Sequence, residues 1–445
     1  MIEGTPPAQF THIQWAGTVR KSFKPSSPDQ TSLEFKAYLL ESQGELPSYL
    51  DEYSLSKATV NGSHNSLRRY DRPDLPLDAG RLSIASDWLQ RQFGPIMGAS
   101  NVSSIGDVQQ SLDGSRSPGY PWNTQFHSKQ EYWDDDVGIF YDDYWAALAT
   151  DDPIISLCGL AHTMELISSK KAAADMPRTV LAMDVNHVQA SAVLFLDQNM
   201  KLRRRPLATA SALGISPFHL GYHTIAAKVT VIGNCISSDG RLFDASYLWA
   251  IFCLVIMFRW SNLKAKFRTA ANFKRIYNLY HMMCYAFIVG VCGAVWLKVC
   301  GNPSGQGSTT EDNIIKMFVD KVMLFLILAP KRYHTYEAFT KYYLLILYGD
   351  DVLEAMAEEL APYFTAELIG AAGKLIHMEY TFETPIPIPL VNSHQTFCSL
   401  GFKTGTYRGF TAVVPVHNCH KALCSLLKAN HNMQPAGQIE RVCGI

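Results

Sequence analysis

The sequence predicts an α+β fold, an antiparallel sheet backed by helices, in a chain divided into two or three subdomains. Three observations carry this. The run Leu344-Leu345-Ile346-Leu347-Tyr348-Gly349-Asp350-Asp351-Val352-Leu353 is apolar, is broken by two carboxylates and then resumes, as in a hairpin with a tight Gly-centred turn. Two further apolar segments, Tyr247 to Phe258 and Cys284 to Leu297, are shorter than the about 20 residues a membrane span needs, so both read as buried core elements. At 445 residues the chain exceeds one core of ordinary size.

A hydrophobic content of 47% with 18% charged residues excludes a disordered chain. The formal charge of -1 excludes a uniformly basic nucleic-acid binder but leaves local patches open. Basic residues cluster at Lys201 to Arg205 and, between Arg259 and Arg275, at Lys264, Lys266, Arg268 and Lys274. Either cluster reads equally as a solvated face. Ten cysteines without a CxxC pair favour reduced, cytoplasmic thiols. His417, Cys419, His420 and Cys424 could bind a metal, but their spacing fits no common zinc pattern. Met1 to Gly4 opens a polar, Pro-containing segment, so no signal peptide is expected.

The hairpin turn lifts Asp350 and Asp351 out of an apolar layer where nothing local neutralises them, a costly placement unless a cation such as Mg²⁺ binds. An ordinary acidic turn is the plainer reading. Because Gly-Asp-Asp arises by chance in roughly one chain in ten of this length, it needs partners.

Those partners lie upstream in order. After a polar opening with a Pro25-Ser26-Ser27-Pro28 loop, a helix is expected around Ser86 to Phe93. Ser117-Pro118-Gly119-Tyr120-Pro121-Trp122 is a rigid extended loop whose two aromatics could stack on single-stranded template, or simply pack. Between Leu160 and Leu181, Lys170, Lys171 and Arg178 would line one side of an extended hairpin and could grip a triphosphate; a solvated linker is the alternative. Val229 to Ile236 reads as a strand delivering Asp239 at its end, with Asp244 near the start of the next helix, where capping would explain it as well. Gly301 to Ile315 is a Gly/Ser loop entering a helix, with Thr309 and Asn313 on one face, placed to read a sugar hydroxyl.

With these residues in place, the chain resembles a viral RNA-dependent RNA polymerase of the positive-strand, picornavirus-like supergroup. Gly-Asn-Pro-Ser-Gly-Gln-x-Ser-Thr-Thr-x-Asp-Asn, from Gly301 to Asn313, is most similar to the astroviruses, with potyviruses more distant. The resemblance covers residues 115 to 402, with the motifs in the family's order.

It implies a right-hand polymerase with fingers, palm and thumb: an N-terminal extension over 1–59, fingers over 60–230 and 262–295, palm over 231–261 and 296–395, then motif E and a short thumb over 396–445. Asp239 of motif A with Asp350 and Asp351 of motif C would hold two Mg²⁺ ions, for which Mn²⁺ can substitute. Asp244, Ser304, Gly305, Thr309 and Asn313 would bind the nucleotide and its ribose. Lys170, Lys171 and Arg178 fall where motif F meets the triphosphate. Ser117, Pro118, Gly119 and Tyr120 would guide template, and Cys398 and Ser399, in Thr396 to Phe402, would grip primer. Two departures stand out: motif F is thinly basic, and the only lysine for motif D, Lys374, sits in a Gly-Lys that equally suits a helix C-cap.

The implied chemistry is in-line nucleotidyl transfer between two metals about 4 Å apart, making RNA from ribonucleoside triphosphates on an RNA template. Carboxylates from two strands can bracket that pair only if the strands are neighbours, hence the antiparallel palm. Other viral replication proteins and a protein primer are the expected partners, at membrane-associated complexes in the host cytoplasm, with no transmembrane segment in this chain. The alternatives are a catalytically silent RNA-binding scaffold and a reverse transcriptase. A reverse transcriptase commonly places a bulky aromatic where Asp244 stands.

Overall fold

The computed structural model of the protein describes residues 10–19, 30–31, 40–41, 48–135, 138–163, 165–407, 409–417, 424 and 428–429. The Pro25–Pro28 loop, Cys419 and His420 lie outside them, so the loop and the metal-ligand expectation for His417 to Cys424 have no structural counterpart here.

At the centre is a four-stranded antiparallel sheet in the order Tyr343–Tyr348, Asp351–Met356, Asn234–Arg241, Glu379–Phe382. Both faces of its middle are covered, which explains the unbroken apolar run at Leu344 to Leu347. Leu345, Leu347, Val352 and Met356 join the core with Phe318 and Phe325 of the Thr309–Leu328 helix. Ile346, Leu353 and Ala355 face the other way, toward Tyr222, Ile225 and Val229 of the Gly221–Ile232 helix. Every residue from Glu311 to Leu326 is buried, so the Thr309–Leu328 helix is the spine of the molecule.

A polar cluster lies inside that core. Lys321 Nζ donates to Glu354 Oε1 at 2.5 Å and to Ser238 Oγ at 3.0 Å, and the Tyr343 hydroxyl donates to the same carboxylate. The pair therefore pins the helix to the strands that carry Asp239 and Asp351, from the sheet's opposite face.

A second sheet runs Gln14–Thr18, Ala294–Leu297, Phe287–Val289, Leu157–His162, Thr179–Met183, with one parallel pairing. A three-stranded sheet joins Thr396–Phe397, Leu400–Tyr407 and Phe410–His417. Among the described residues, no helix is long and apolar enough to cross a membrane.

Several expectations change. Val229 to Ile232 is the end of the Gly221–Ile232 helix, not a strand. The strand begins only after Gly233, at φ +145, where an added Cβ would lie 2.5 Å from the Met356 carbonyl oxygen. Cys284 to Leu297 is a helix end followed by a hairpin, Phe287–Val289 with Ala294–Leu297. The helix expected around Ser86 spans Ala79–Met97. Asp244 caps nothing: it sits in the Phe243–Ser246 3-10 turn, and the next helix, Trp249–Ser261, starts from Leu248 with no side-chain cap.

Arg259 leaves the basic cluster altogether. It is fully buried, 2.7 Å from Asp312, instead of lying on a solvated face.

Candidate active site

The Asn234–Arg241 and Asp351–Met356 strands pair so that Asp239 and Asp351 are direct cross-strand partners. Asp350 occupies the two-residue turn beside them. Gly349 takes φ +65 at the first turn position, a conformation open to glycine at little cost, and its missing side chain would otherwise meet only open space. The backbone geometry, more than crowding, requires glycine there.

Protein partly surrounds these carboxylates, and Asp350 suppresses ionisation of both Asp239 and Asp351. Burial first, then Asp350, pushes Asp239 up to about 6. Asp351 is pushed up to about 7 by burial and by both neighbours, and Asp350 is also raised, chiefly by burial. Like charges at close quarters in a partly dry site explain the direction. Lys171 draws Asp239 back down and Arg178 draws Asp350 down, so both cations act on the carboxylates through space.

Lys170 and Lys171 lie on a short helix, Ser169–Ala173, where an extended hairpin arm was expected; Arg178 precedes the Thr179–Met183 strand. Arg178 also meets Glu165 at 3.3 Å across an exposed pair, a contact weak enough to exchange for a phosphate. That strand is stitched to the Gly/Ser loop. Gly305 N–H donates to Leu181 O at 2.8 Å, Met183 N–H to Gly305 O at 3.3 Å, and Leu181 N–H to Ser304 Oγ at 3.2 Å. A Cβ on Gly305 would lie 2.9 Å from Ala182 Cα, so the loop closes on the strand only with glycine.

The Thr309 hydroxyl proton is shared within the loop: the hydroxyl donates to the Ser304 and Gln306 carbonyls, each at 3.0 Å, and so closes the loop onto the helix. Asn313 lies beside Asp244 and opposes the rise to about 6 that burial and Asp350 impose on that carboxyl.

The template-loop expectation is only partly met. Ser117 is exposed, but Pro118, Gly119 and Tyr120 are buried, with Val185 N–H donating to Pro118 O at 2.8 Å. Tyr120 packs with Val289 and Val295, and Trp122 against Tyr132 at a centroid distance of 5.1 Å, so neither ring projects for stacking. Cys398 and Ser399 form the turn between Thr396–Phe397 and Leu400–Tyr407 with φ +50 and +63, a strained pair lacking glycine. Burial and the neighbouring Asp351 and Asp350 carboxylates push the Cys398 thiol up. Lys374 is exposed in the last turn of the Ala366–Leu375 helix, and His377, at φ +60, follows it.

A family model described as viral RNA-dependent RNA polymerase matches residues 33–443. The chain belongs to the viral RNA-dependent RNA polymerase family. It is 24% identical over 343 residues to the non-structural polyprotein 1AB of Ovine astrovirus 1, covering 75% of this chain and 24% of that protein. Against genome polyprotein 1 of Barley mild mosaic virus it is 23% identical over 321 residues, covering 70% of this chain and 14% of the polyprotein. The chain thus spans a quarter or less of these relatives' length. A solved structure titled Sicinivirus 3Dpol RNA dependent RNA polymerase superposes with a TM-score of 0.74 over 99% of this chain and 93% of that one, at 15% identity. That likeness shows the right-hand polymerase fold, and with family membership it supports an RNA-directed RNA polymerase, an enzyme class that depends on divalent metal.

In this family member two contributors were invisible in the sequence. Arg69, from the Arg68–Tyr70 turn, draws Asp244 down, and its buried Nε has no hydrogen-bond partner among the described residues. Gln395, fully buried, accepts from Ser237 N–H at 2.6 Å and donates to Cys235 O at 2.7 Å, tying the Asp239 strand to the Cys398 turn. A lone Arg or Gln more than 150 residues from its partner leaves no local signal.

Among the described residues, no group of three or more His, Cys, Asp or Glu converges closely enough to hold a metal by itself. The donor set nevertheless fits Mg²⁺, which takes one or two carboxylates and completes its shell with water and substrate phosphates.

The raised carboxylates have a signed consequence. Their folded-state pKa values exceed the roughly 3.9 of an unfolded aspartate, so their contribution to stability is complete below about pH 4 and is lost as pH rises through 6 to 7. In EDTA, Asp351→Asn should therefore raise the melting temperature at pH 8 relative to the parent, with a smaller gain at pH 5.5. Differential scanning fluorimetry at the two pH values checks this; equal shifts would count against mutual repulsion.

Proposed function

We propose that the chain copies RNA from an RNA template by two-metal nucleotidyl transfer from ribonucleoside triphosphates. The observation that carries this is the cross-strand pairing of Asp239 with Asp351, with Asp350 in the adjoining turn and the charges of Lys171 and Arg178 lowering Asp239 and Asp350. Two Mg²⁺ ions, or Mn²⁺, held by Asp239, Asp350 and Asp351 would lower the pKa of the primer 3′-hydroxyl and neutralise the departing pyrophosphate. Lys170, Lys171 and Arg178 hold the triphosphate, and Arg69 adds charge near the sugar. Ser304 and Gly305 shape the loop beneath the nucleotide, and Thr309 fixes it. Ser117 to Tyr120 position the template strand through their backbone, and the Cys398-Ser399 turn seats the primer end against Asp351. The exposed Lys374 is kept as the general-acid candidate only because no other lysine lies between Asp351 and Phe402.

Asp244 and Asn313 read the sugar. A 2′-hydroxyl donates to Asp244 and accepts from the Asn313 amide, whereas a deoxyribose leaves both unpaired. This is the feature that favours a ribonucleotide polymerase over a reverse transcriptase. Asn313→Ala should lower the ribo- to deoxyribonucleotide ratio of kcat/KM by about tenfold or more, measured by single-nucleotide extension; an unchanged ratio would remove the sugar-reading role. RNA template, nascent strand and nucleotides are the direct partners. Other viral replication proteins, a protein primer and membrane-associated complexes in the host cytoplasm complete the proposed setting, since the relatives are polyproteins. The catalytically silent scaffold has no observation in its favour.

A further inference from the structure

An asparagine amide has nearly the same shape either way round, but its two ends have opposite effects beside a carboxylate. With Nδ2 toward Asp244, Asn313 donates to the carboxylate and keeps a second N–H for a ligand. With Oδ1 there, two acceptors face each other and the ligand loses its donor. Something outside the pair has to decide which end points where.

We propose that Tyr247 and Asn302 make that choice, as positioning residues that orient the Asn313 amide and thereby set how strongly the site rejects a deoxyribose. This rests on the reading of Asp244 and Asn313 as the sugar-contact pair. The Tyr247 hydroxyl donates to Asn313 Oδ1 at 3.0 Å, and Asn302 Nδ2 donates to the same oxygen at 3.2 Å. Two donors on Oδ1 leave Nδ2 as the end free to serve Asp244 and a ligand, and Asn313 does lower the Asp244 carboxyl as a donor would.

Neither donor is free to wander. Tyr247 has no exposed surface; its ring lies edge-on to Phe243, with centroids 5.9 Å apart, and at 5.1 Å from Phe252, and its carbonyl accepts Gly301 N–H at 2.8 Å. Asn302 is equally buried, and its own N–H donates to the Asp244 carbonyl at 2.7 Å. The backbone around Asp244 and the side chain of Asn313 are thus held by the same two residues. Asn302 Oδ1 has no partner among the described residues, so that side chain serves here as a donor only. Removing the phenolic proton would leave the ring packing intact but let the amide turn over, misplacing the donor that a 2′-hydroxyl uses.

The test is Tyr247→Phe in the full chain, with Asn302→Ala and Asn313→Ala beside it. CTP and dCTP incorporation on a primed RNA are compared by kcat/KM, and each variant is checked by thermal unfolding. Tyr247→Phe is expected to reduce the CTP to dCTP ratio by about tenfold, through loss on CTP with dCTP little changed, and Asn302→Ala should move the ratio the same way. A purely structural role would lower both substrates together and leave the ratio in place, which would overturn the proposal. If Asn313→Ala collapses the ratio while Tyr247→Phe and Asn302→Ala leave it within twofold, the orienting role is wrong and the sugar reading stands. If Asn313→Ala also leaves the ratio unchanged, the sugar reading itself fails, and this proposal with it.

Discussion

Replacing Asp350 with alanine is expected to lower ribonucleotide incorporation by about a thousandfold or more without unfolding the protein. Losing one carboxylate from a two-metal site removes several kcal/mol of transition-state stabilisation, and about 4 kcal/mol corresponds to that factor. The fold should not suffer. Asp350 occupies an exposed turn, and its charge raises Asp239, Asp244 and Asp351, so its removal relieves repulsion. A melting temperature at or above the parent's, together with lost activity in primer extension, is the combined signature. Activity within tenfold of the parent would disconnect Asp350 from the chemistry.

The largest stability effect should come from a residue that touches no substrate. Arg259 is fully buried and donates through Nε and Nη2 to Asp312 Oδ1, at 3.1 and 2.7 Å, and through Nη1 to Asn199 at 2.8 Å and Gln198 at 3.2 Å. Asp312 also receives the Tyr280 hydroxyl at 3.0 Å and Gln306 Nε2 at 3.0 Å, so the pair ties the Trp249–Ser261 and Ala270–Cys284 helices to the loop that carries Ser304 and Gly305. Burial pushes Asp312 up while Arg259 holds it down. Arg259→Met leaves that carboxylate buried and short of its cation, at a cost of about 3–5 kcal/mol. Arg259→Met combined with Asp312→Leu should recover much of the loss, because an apolar pair needs no compensation. Melting temperatures of the single and double variants measure this; a double variant no better than the single would put the penalty elsewhere.

What the sequence made legible was what local pattern dictates. The hairpin at Asp350 lies where the apolar run and Gly349 require, and Asp239 lies on the neighbouring strand. Family order, more than any single motif, brought the fingers and sheet residues into one frame. Val229 to Ile232 misled because β-branched residues favour strands only when tertiary packing agrees, and here the run is a helix end from which Val229 and Ile232 pack toward the sheet while Val231 is exposed. Tyr120 and Trp122 looked available because a Pro-rich loop says nothing of what packs against it. Thr309 and Asn313 share a helical face as expected, yet only the structure shows that the hydroxyl is taken up by Ser304 and Gln306. Gln14–Thr18 pairs with Ala294–Leu297, and the Arg69 charge acts on Asp244, across separations that leave no periodic trace.

The most direct test is incorporation of a labelled ribonucleotide on a primed homopolymer RNA by the parent protein, with Mg²⁺ and with EDTA. Template-complementary extension that requires the metal is the predicted result. A folded protein that binds the RNA but extends nothing under either condition would contradict the polymerase reading and leave an RNA-binding scaffold of the same fold.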